Sequence, residues 1–210
     1  NGSGKHVNWS VGNSTQGNHL DPGNTPQDNL LFLLFCGADI RGVHLHGPQL
    51  RAVIASASND HLLGANEAPP AILSVYLGDQ LEQDFNDIKD GKNSKPVEGG
   101  SMDLGLTQIL HFDRDPGDRN RTSPFAFTGN RFEFRAVGAS QSVSGPLVAM
   151  NTMLADSLNW IADKLSAEID TGADEATAVT TVLKELMNAH GNVVFGGDGY
   201  SSEWHSIAVE

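Results

Sequence analysis

Residues 119–135 read RNRTSPFAFTGNRFEFR, and they predict a β-hairpin around which the other elements are arranged. The first predicted strand covers residues 123–127, and the second covers residues 131–137. Between them, Thr128-Gly129-Asn130 supplies residue types that turns require. We therefore expect the polar groups that matter to lie on this hairpin and on the strands beside it.

The two faces of the second strand carry different chemistry. Successive side chains of a strand point to opposite faces, so Phe132 and Phe134 share one face. The other face places Glu133 between Arg131 and Arg135. Two interpretations stay open at this point. Alternating charges are typical of a solvated strand face, whereas guanidinium groups around a carboxylate also suit a site for an anionic substrate and a metal ion.

The charge balance of the chain limits its partners. The 210 residues include 26 acidic and 13 basic side chains, a net charge of −13, so a nucleic acid would be repelled on average. The single cysteine, Cys36, excludes a disulfide framework and is typical of a reducing, cytoplasmic environment. The sequence contains no run of 18 apolar residues, which predicts no membrane-spanning segment.

Several helices are predicted around the hairpin. The sequence Thr25-Pro26-Gln27-Asp28 is typical of a helix start, and the apolar run after it continues to about His46. Gly47-Pro48 then predicts the end of that helix. Further helices are predicted at residues 49–57, from Pro146, after a capping box at residues 171–174, and from residue 201 onward.

Two more strands are expected in the sheet. Residues 5–10, KHVNWS, alternate so that His6, Asn8 and Ser10 share one face. Residues 71–77 are almost continuously apolar, which favours a central strand. The predicted fold class is therefore α+β, with an antiparallel sheet carrying the active-site face and helices backing it.

Two further features of the sequence are a predicted insertion and the two ends of the chain. Residues 82–118 are charged and rich in Gly, Asp, Asn and Lys, which predicts a long insertion loop. The chain starts and stops inside motif-like sequence, so we expect an interior part of a longer protein.

A neutral His and a Glu can share one octahedral metal ion, and arginines beside it would neutralise charge in a phosphoryl transfer. The residues alone lead only as far as a metal- and anion-binding site, with ATP as one candidate ligand, beside the alternative of a solvated strand face.

Four sequence strings, in this order, resemble the glutamine synthetases, specifically the long type III enzymes. They are NGSGKHVNWS from Asn1, NDHLLGANEAPPAI from Asn59, RNRTSPFAFTGNRFEFR from Arg119 and FGGDGYSSEWH from Phe195. The resemblance implies that residues 1–210 are a partial catalytic domain. It also implies that the first-metal ligands and a small N-terminal domain lie upstream, and that the enzyme assembles as a ring-shaped homo-oligomer.

The resemblance further implies a reaction. Glutamate's γ-carboxylate attacks ATP to give γ-glutamyl phosphate, and ammonia then displaces phosphate to give glutamine. Ammonium must first lose a proton, which requires a positioned carboxylate. Two metal ions, Mg²⁺ or Mn²⁺, would reduce the repulsion between the anionic substrates.

Position by position, the resemblance implies roles for five charged residues. His6 and Glu133 match two ligands of the second metal, which requires their polar atoms to meet in one cleft. Glu67 matches the flap glutamate that closes the site and helps to deprotonate ammonium. Arg121 and Arg135 match the arginines that grip the transferring phosphate and the substrate carboxylate.

Five further positions fall on the substrate and nucleotide sites of the family. Asn1 and Gly2 match residues that hold the amino-acid substrate. Asn8 and Ser10 match residues that contact the nucleotide, and Arg131 matches an arginine on the nucleotide phosphates.

One position departs from the family pattern. The loop before ANEAP ordinarily carries an arginine that holds the substrate carboxylate, whereas this chain has Leu62, which offers no hydrogen-bond donor. Two alternatives follow from this difference. One is a catalytically silent relative with an oligomer-forming or regulatory role, and the other is a γ-glutamyl-amine ligase of the same fold.

Overall fold

The computed structural model describes residues 4–65, 68–92 and 122–208. The strands are β1 (Lys5–Trp9), β2 (Gly12–Asn13), β3 (Gly17–Asn18), β4 (Val75–Tyr76), β5 (Phe125–Phe127) and β6 (Phe132–Val137). The helices are α1 (Leu30–Ile54), α2 (Ala57–Asp60), α3 (Asp79–Asp90), α4 (Ser144–Asp170), α5 (Glu175–His190) and α6 (Ser202–Ile207). Two 3₁₀ turns cover Pro26–Asp28 and Gly191–Val193.

The predicted hairpin is confirmed and occupies the centre of a four-stranded sheet with the order β1-β6-β5-β4. β5 and β6 are antiparallel, with Phe125 opposite Phe134 and Ala126 opposite Glu133. β1 runs antiparallel to β6 on its other side and places Asn8 opposite Glu133. β1 is therefore the neighbour of β6, the strand that carries the charged side chains of the hairpin.

The sheet differs from the prediction at β4. This strand pairs in parallel with β5, so the sheet is mixed and the expectation of an antiparallel sheet is wrong there. β4 covers only Val75–Tyr76, shorter than the predicted residues 71–77, and it is the last strand of the four-stranded sheet. On its other side Val75 forms an isolated parallel bridge with Val194, so the predicted central position is correct at Val75. An apolar run signals burial but does not show how much of it pairs with neighbours.

The helices bury the aromatic face of the sheet. α1 packs against both α4 and α5, and Phe32 of α1 meets Phe127 with ring centroids 5.6 Å apart. Phe132 and Phe134 are fully buried, as their alternation predicted. By length and apolar composition α1 would also suit a membrane span, but 61 % of its most apolar window is buried, as in a core helix.

α1 does not end at Gly47-Pro48 as predicted. It begins at Leu30 after Asn29, whose side chain accepts a hydrogen bond from the Phe32 amide, and Pro48 lies inside it. Leu50 and Ile54 beyond the proline are fully buried. Packing of this last part outweighs the hydrogen bond that a proline removes from a helix.

The predicted insertion begins with a helix. α3 covers Asp79–Asp90 and buries Leu81 and Phe85, so an irregular loop is wrong for residues 82–90. Residues 93–118 of the predicted insertion lie outside the described residues. The predicted capping box is only half right, because Asp174 caps α5 by accepting from the Thr177 amide, whereas Thr171 ends α4.

Candidate functional site

Glu133 lies at the centre of the polar face of β6. Its side chain is 10 % exposed, with Oε1 2.9 Å from His6 Nδ1 and Oε2 accepting a 3.0 Å hydrogen bond from Arg135 Nε. His6 and Glu133 therefore point their polar atoms at one another, as the resemblance required. The three residues His6, Glu133 and Arg135 are called the triad below.

The pairing of β1 with β6 explains why these side chains meet. Asn8 is the register partner of Glu133 on the adjacent strand, and His6 precedes Asn8 by two residues on the same face. The register shifts between Lys5 and Val7, where two steps along β1 match three along β6, from Phe134 to Val137. Such irregularities redirect side chains, and this one lies where His6 reaches the Glu133 carboxylate.

The electrostatic surroundings keep Glu133 ionised. Burial raises the pKa of the Glu133 carboxyl, but the Arg135 guanidinium and the His6 imidazole lower it by more, so the pKa lies below its usual value. Arg135 is only 2 % exposed, whereas the His6 side chain is 41 % exposed. The interpretation as a solvated strand face is therefore wrong for Glu133 and Arg135.

The other predicted site residues divide into described and undescribed positions. Asn8 and Ser10 are exposed on or just after β1, and Arg131 is exposed at the start of the hairpin's second arm. Leu62 lies in the turn after α2 and is half-buried, with its amide donating to the Asn59 carbonyl. The predicted residues outside the described ranges are Asn1, Gly2, Glu67 and Arg121.

The donor atoms of His6 and Glu133 suit a divalent cation that takes further ligands from elsewhere. In an octahedral shell with bonds of about 2.0–2.1 Å, adjacent ligand atoms lie about 2.9 Å apart. His6 Nδ1 and Glu133 Oε1 have this separation, 2.9 Å. Among residues 4–65, 68–92 and 122–208, no group of three His, Cys, Asp or Glu side chains gathers as a metal cluster. The pair therefore offers two ligands of an incomplete shell.

Asn59 supports the site and was not singled out by sequence reasoning. Its buried Nδ2 donates 2.9 Å hydrogen bonds to the Ile54 and Ala136 carbonyls, which ties the end of α1 to β6 beside Arg135. A second buried link joins Ser123 to Ser74 at 2.7 Å and to the Phe195 carbonyl at 3.2 Å. Only one sequence signal points to these two links: Asn59 and Phe195 are the first residues of two of the four strings that resemble the glutamine synthetases.

The comparisons with known proteins agree with the motifs. The family model described as the glutamine synthetase C-terminal domain matches residues 178–210. The type-3 glutamine synthetase of Dictyostelium discoideum is 47 % identical over 208 residues, which cover 99 % of this chain and 28 % of that protein. The glutamine synthetase of Bacteroides fragilis is 46 % identical over 212 residues, which cover 100 % of this chain and 29 % of that protein.

Over its whole length this chain is similar to a part of these glutamine synthetases, the type-3 enzyme among them, so the resemblance predicted from the four strings is confirmed. The chain spans 28–29 % of the length of these curated relatives. The activity, substrates and partners of a whole enzyme are therefore taken up as proposals.

Proposed function

We propose that this chain forms part of the catalytic domain of an ATP-dependent ligase that joins ammonia to glutamate through γ-glutamyl phosphate. The observation that carries the proposal is the triad, with contacts of 2.9 and 3.0 Å on one face of the sheet. The similarity to glutamine synthetases over 99–100 % of the chain supports the same conclusion.

Within this proposal, His6 and Glu133 hold a divalent cation, Mg²⁺ or Mn²⁺. When bound, that cation would offset the negative charge of the phosphate and carboxylate groups that must approach each other. The ionised Glu133 carboxylate and the half-exposed His6 imidazole are the groups that this requires. Water or residues outside the described ranges supply the remaining ligands.

Further residues are proposed to bind the substrates. Asn8 and Ser10, both exposed, are proposed to contact ATP, and exposed Arg131 its phosphates. Arg121 is proposed to grip the transferring phosphate or the glutamate carboxylate, because guanidinium groups bind both in a bidentate manner. Asn1 and Gly2 are proposed to hold glutamate. The proposed enzyme is cytoplasmic and forms a ring-shaped homo-oligomer.

The experiment that tests the function measures phosphate release by the full-length protein. We expect release to require glutamate, ammonia and Mg²⁺ together. Omitting each component in turn provides the matched controls. Binding of ATP and metal without turnover would instead favour a silent, oligomer-forming or regulatory relative.

Glu67 is proposed to deprotonate the bound ammonium. If so, Glu67→Ala in the full-length enzyme should raise the KM for ammonia and lower kcat, because a general base is removed. ATP affinity should change little. An equal loss of ammonia use and ATP binding would make Glu67 a structural residue.

Leu62 favours a second candidate function, a γ-glutamyl-amine ligase. A half-buried leucine stands where the family pattern has an arginine for the substrate carboxylate. In Leu62→Arg, a large fall in the KM for glutamate would implicate the missing guanidinium. If the KM for glutamate stays unchanged while an organic amine replaces ammonia efficiently, the second candidate is favoured.

A further inference from the structure

We propose that Asn18 is a positioning residue for Arg131, the arginine that is proposed to contact the phosphates of ATP. This role deepens the proposed function and rests on it. Asn18 lies in β3, so the small hairpin formed by β2 and β3 takes part in nucleotide binding through the backbone beside Arg131.

The backbone on both sides of Arg131 is held by hydrogen bonds. The Arg131 carbonyl accepts a 2.8 Å hydrogen bond from the Thr128 amide and a 3.3 Å hydrogen bond from Thr128 Oγ1. The carbonyl of the preceding residue, Asn130, accepts a 2.7 Å hydrogen bond from Asn18 Nδ2. Arg131 itself is exposed, so its guanidinium can meet an incoming phosphate.

These bonds determine the direction in which the Arg131 side chain leaves the backbone. The Asn130 and Arg131 carbonyls belong to the two peptide groups that flank the Cα atom of Arg131. Because a peptide group is planar, holding both groups fixes the two backbone dihedral angles of Arg131 and the direction of its Cα–Cβ bond. An arginine that starts from a fixed backbone loses less conformational freedom when it binds an anion.

Asn18 is suited to this task because its own position is fixed from the core. Its Oδ1 accepts a 3.0 Å hydrogen bond from the amide of Leu20, which is fully buried. The intervening His19 stacks on Phe35 of α1 with ring centroids 4.8 Å apart. On the other side, Asn18 pairs with Gly12 in the β2–β3 ladder. The Nδ2 donor is therefore carried by a segment that packs against α1.

The same contact connects two parts of the proposed nucleotide site. Asn8 and Ser10, the proposed ATP contacts, lie on or just after β1 and directly precede the β2–β3 hairpin. Arg131 lies on the other hairpin, and 112 residues separate Asn18 from Asn130 in the sequence. The Asn18 amide thus links the segment that follows the proposed ATP contacts to the backbone of the phosphate-binding arginine.

The test measures the Kd for ATP of the full-length enzyme by isothermal titration at saturating Mn²⁺ without glutamate. Asn18→Asp keeps the Oδ1 acceptor for the Leu20 amide but replaces the Nδ2 donor with an oxygen. We expect the Kd for ATP to rise about 2- to 10-fold, the change that the loss of one net hydrogen bond produces. Mn²⁺ affinity without substrates should stay unchanged, because His6 and Glu133 are not altered.

The added charge of Asn18→Asp needs its own control. Asn13→Asp adds the same charge to the same hairpin and keeps the Oδ1 acceptor for the Thr15 and Gln16 amides. It should leave the Kd for ATP unchanged. Asn18→Ala removes the donor without adding a charge and should weaken ATP binding to a similar degree as Asn18→Asp. An equal rise of the Kd in Asn13→Asp and Asn18→Asp, with none in Asn18→Ala, would overturn the proposal in favour of a charge effect.

A double-variant cycle shows whether Asn18 acts through Arg131. Once Arg131→Ala is present, adding Asn18→Asp should cause little further loss of ATP affinity, because the positioned side chain is already absent. The same loss in the presence and absence of Arg131 would overturn the proposal. Equal losses of ATP and Mn²⁺ affinity in Asn18→Asp would also overturn it, since Asn18 would then only support the fold. If Asn18→Asp fails to fold, the same cycle with Asn18→Ala decides between these outcomes.

Failure of the proposed function gives a different result. If Arg131→Ala leaves the Kd for ATP unchanged, then the proposed contact of Arg131 with the nucleotide is itself wrong. If Arg131→Ala weakens ATP binding but Asn18→Asp and Asn18→Ala do not, only the positioning role of Asn18 fails.

Discussion

His6 Nδ1 lies 2.9 Å from Glu133 Oε1, although 127 residues separate the two positions in the sequence. No local pattern in the chain brings them together, because the contact depends on β1 pairing with β6. The consequence for metal binding can be measured.

Replacing either member of this pair should weaken metal binding strongly. In the full-length protein, we expect His6→Ala and Glu133→Gln each to lower Mn²⁺ affinity by more than the roughly 100-fold typical of residues that only support a ligand. Isothermal titration would measure this, with His205→Ala as the control because His205 is an exposed histidine on α6. Wild-type affinity in either variant would remove that residue from the cation site.

Asp39 should make the fold less stable as the pH rises. It is 1 % exposed, its Oδ2 lacks a hydrogen-bond partner among the described residues, and burial raises the pKa of its carboxyl well above the usual value. The folded state then holds the proton more tightly than the unfolded state, so stability falls as pH rises from about 4 towards the raised pKa. Asp39→Asn should melt at a higher temperature than wild type at pH 8, with the difference shrinking towards pH 4. A variant that melts lower than wild type at pH 8 would contradict this.

His190 should make the fold less stable as the pH falls. Its Nδ1 lies 2.7 Å from Nδ1 of His44, a contact that requires one neutral ring as acceptor. Burial, His44 and Arg41 lower the pKa of His190, with Glu185 opposing them. The neutral ring is thus favoured in the fold, so stability is lost as pH falls below about 6.5 towards the lowered pKa.

Thermal melts between pH 5 and 8 would test the His190 prediction. His190→Gln should flatten the acid side of the curve, because glutamine can hydrogen-bond with His44 but does not titrate in this range. His205→Gln, which alters an exposed histidine, should keep the wild-type slope. The same acid slope in His190→Gln as in wild type would show that other groups cause it.

Substituting either of two neighbouring residues in α1 should stabilise the fold. Pro48 is exposed inside the helix and lacks the N–H that would donate to the His44 carbonyl, so Pro48→Ala should raise the free energy of unfolding by up to about 3 kcal/mol. Gly47 has open space where a Cβ would stand, so Gly47→Ala should add about 1 kcal/mol. Urea unfolding would measure both, and a loss of stability in Gly47→Ala would mean that the bend at this point is required.

Turn-forming residues and the alternation of side chains along a strand were sufficient to predict the hairpin and its two faces. The turn residues and strict alternation place Phe132 and Phe134 in the core and Glu133 opposite them, and all three positions agree with the structure. The burial of Arg135 could not be predicted in this way, because alternation assigns a face and not its degree of exposure. That depends on tertiary contacts, such as the one that places Arg135 Nη1 3.5 Å from Thr122 Oγ1.

The elements that sequence reasoning missed were stabilised by tertiary contacts. α3 has the composition of a loop, and Leu81, Phe85 and Ile88 hold it against the core. α1 continues past Pro48 because Leu50 and Ile54 are buried. The parallel pairing of β4 with β5 likewise depends on a register that neither strand encodes alone.

The order of β1 and β6 along the chain also has a consequence during protein synthesis. With 127 residues between His6 and Glu133, a ribosome adding about 5–20 residues per second makes the second residue roughly 6–25 s after the first. Throughout that interval the nascent β1 has no β6 to pair with, so the two proposed ligands cannot yet bind a cation together. Loading with metal is then expected only after Glu133 has emerged and the sheet has closed.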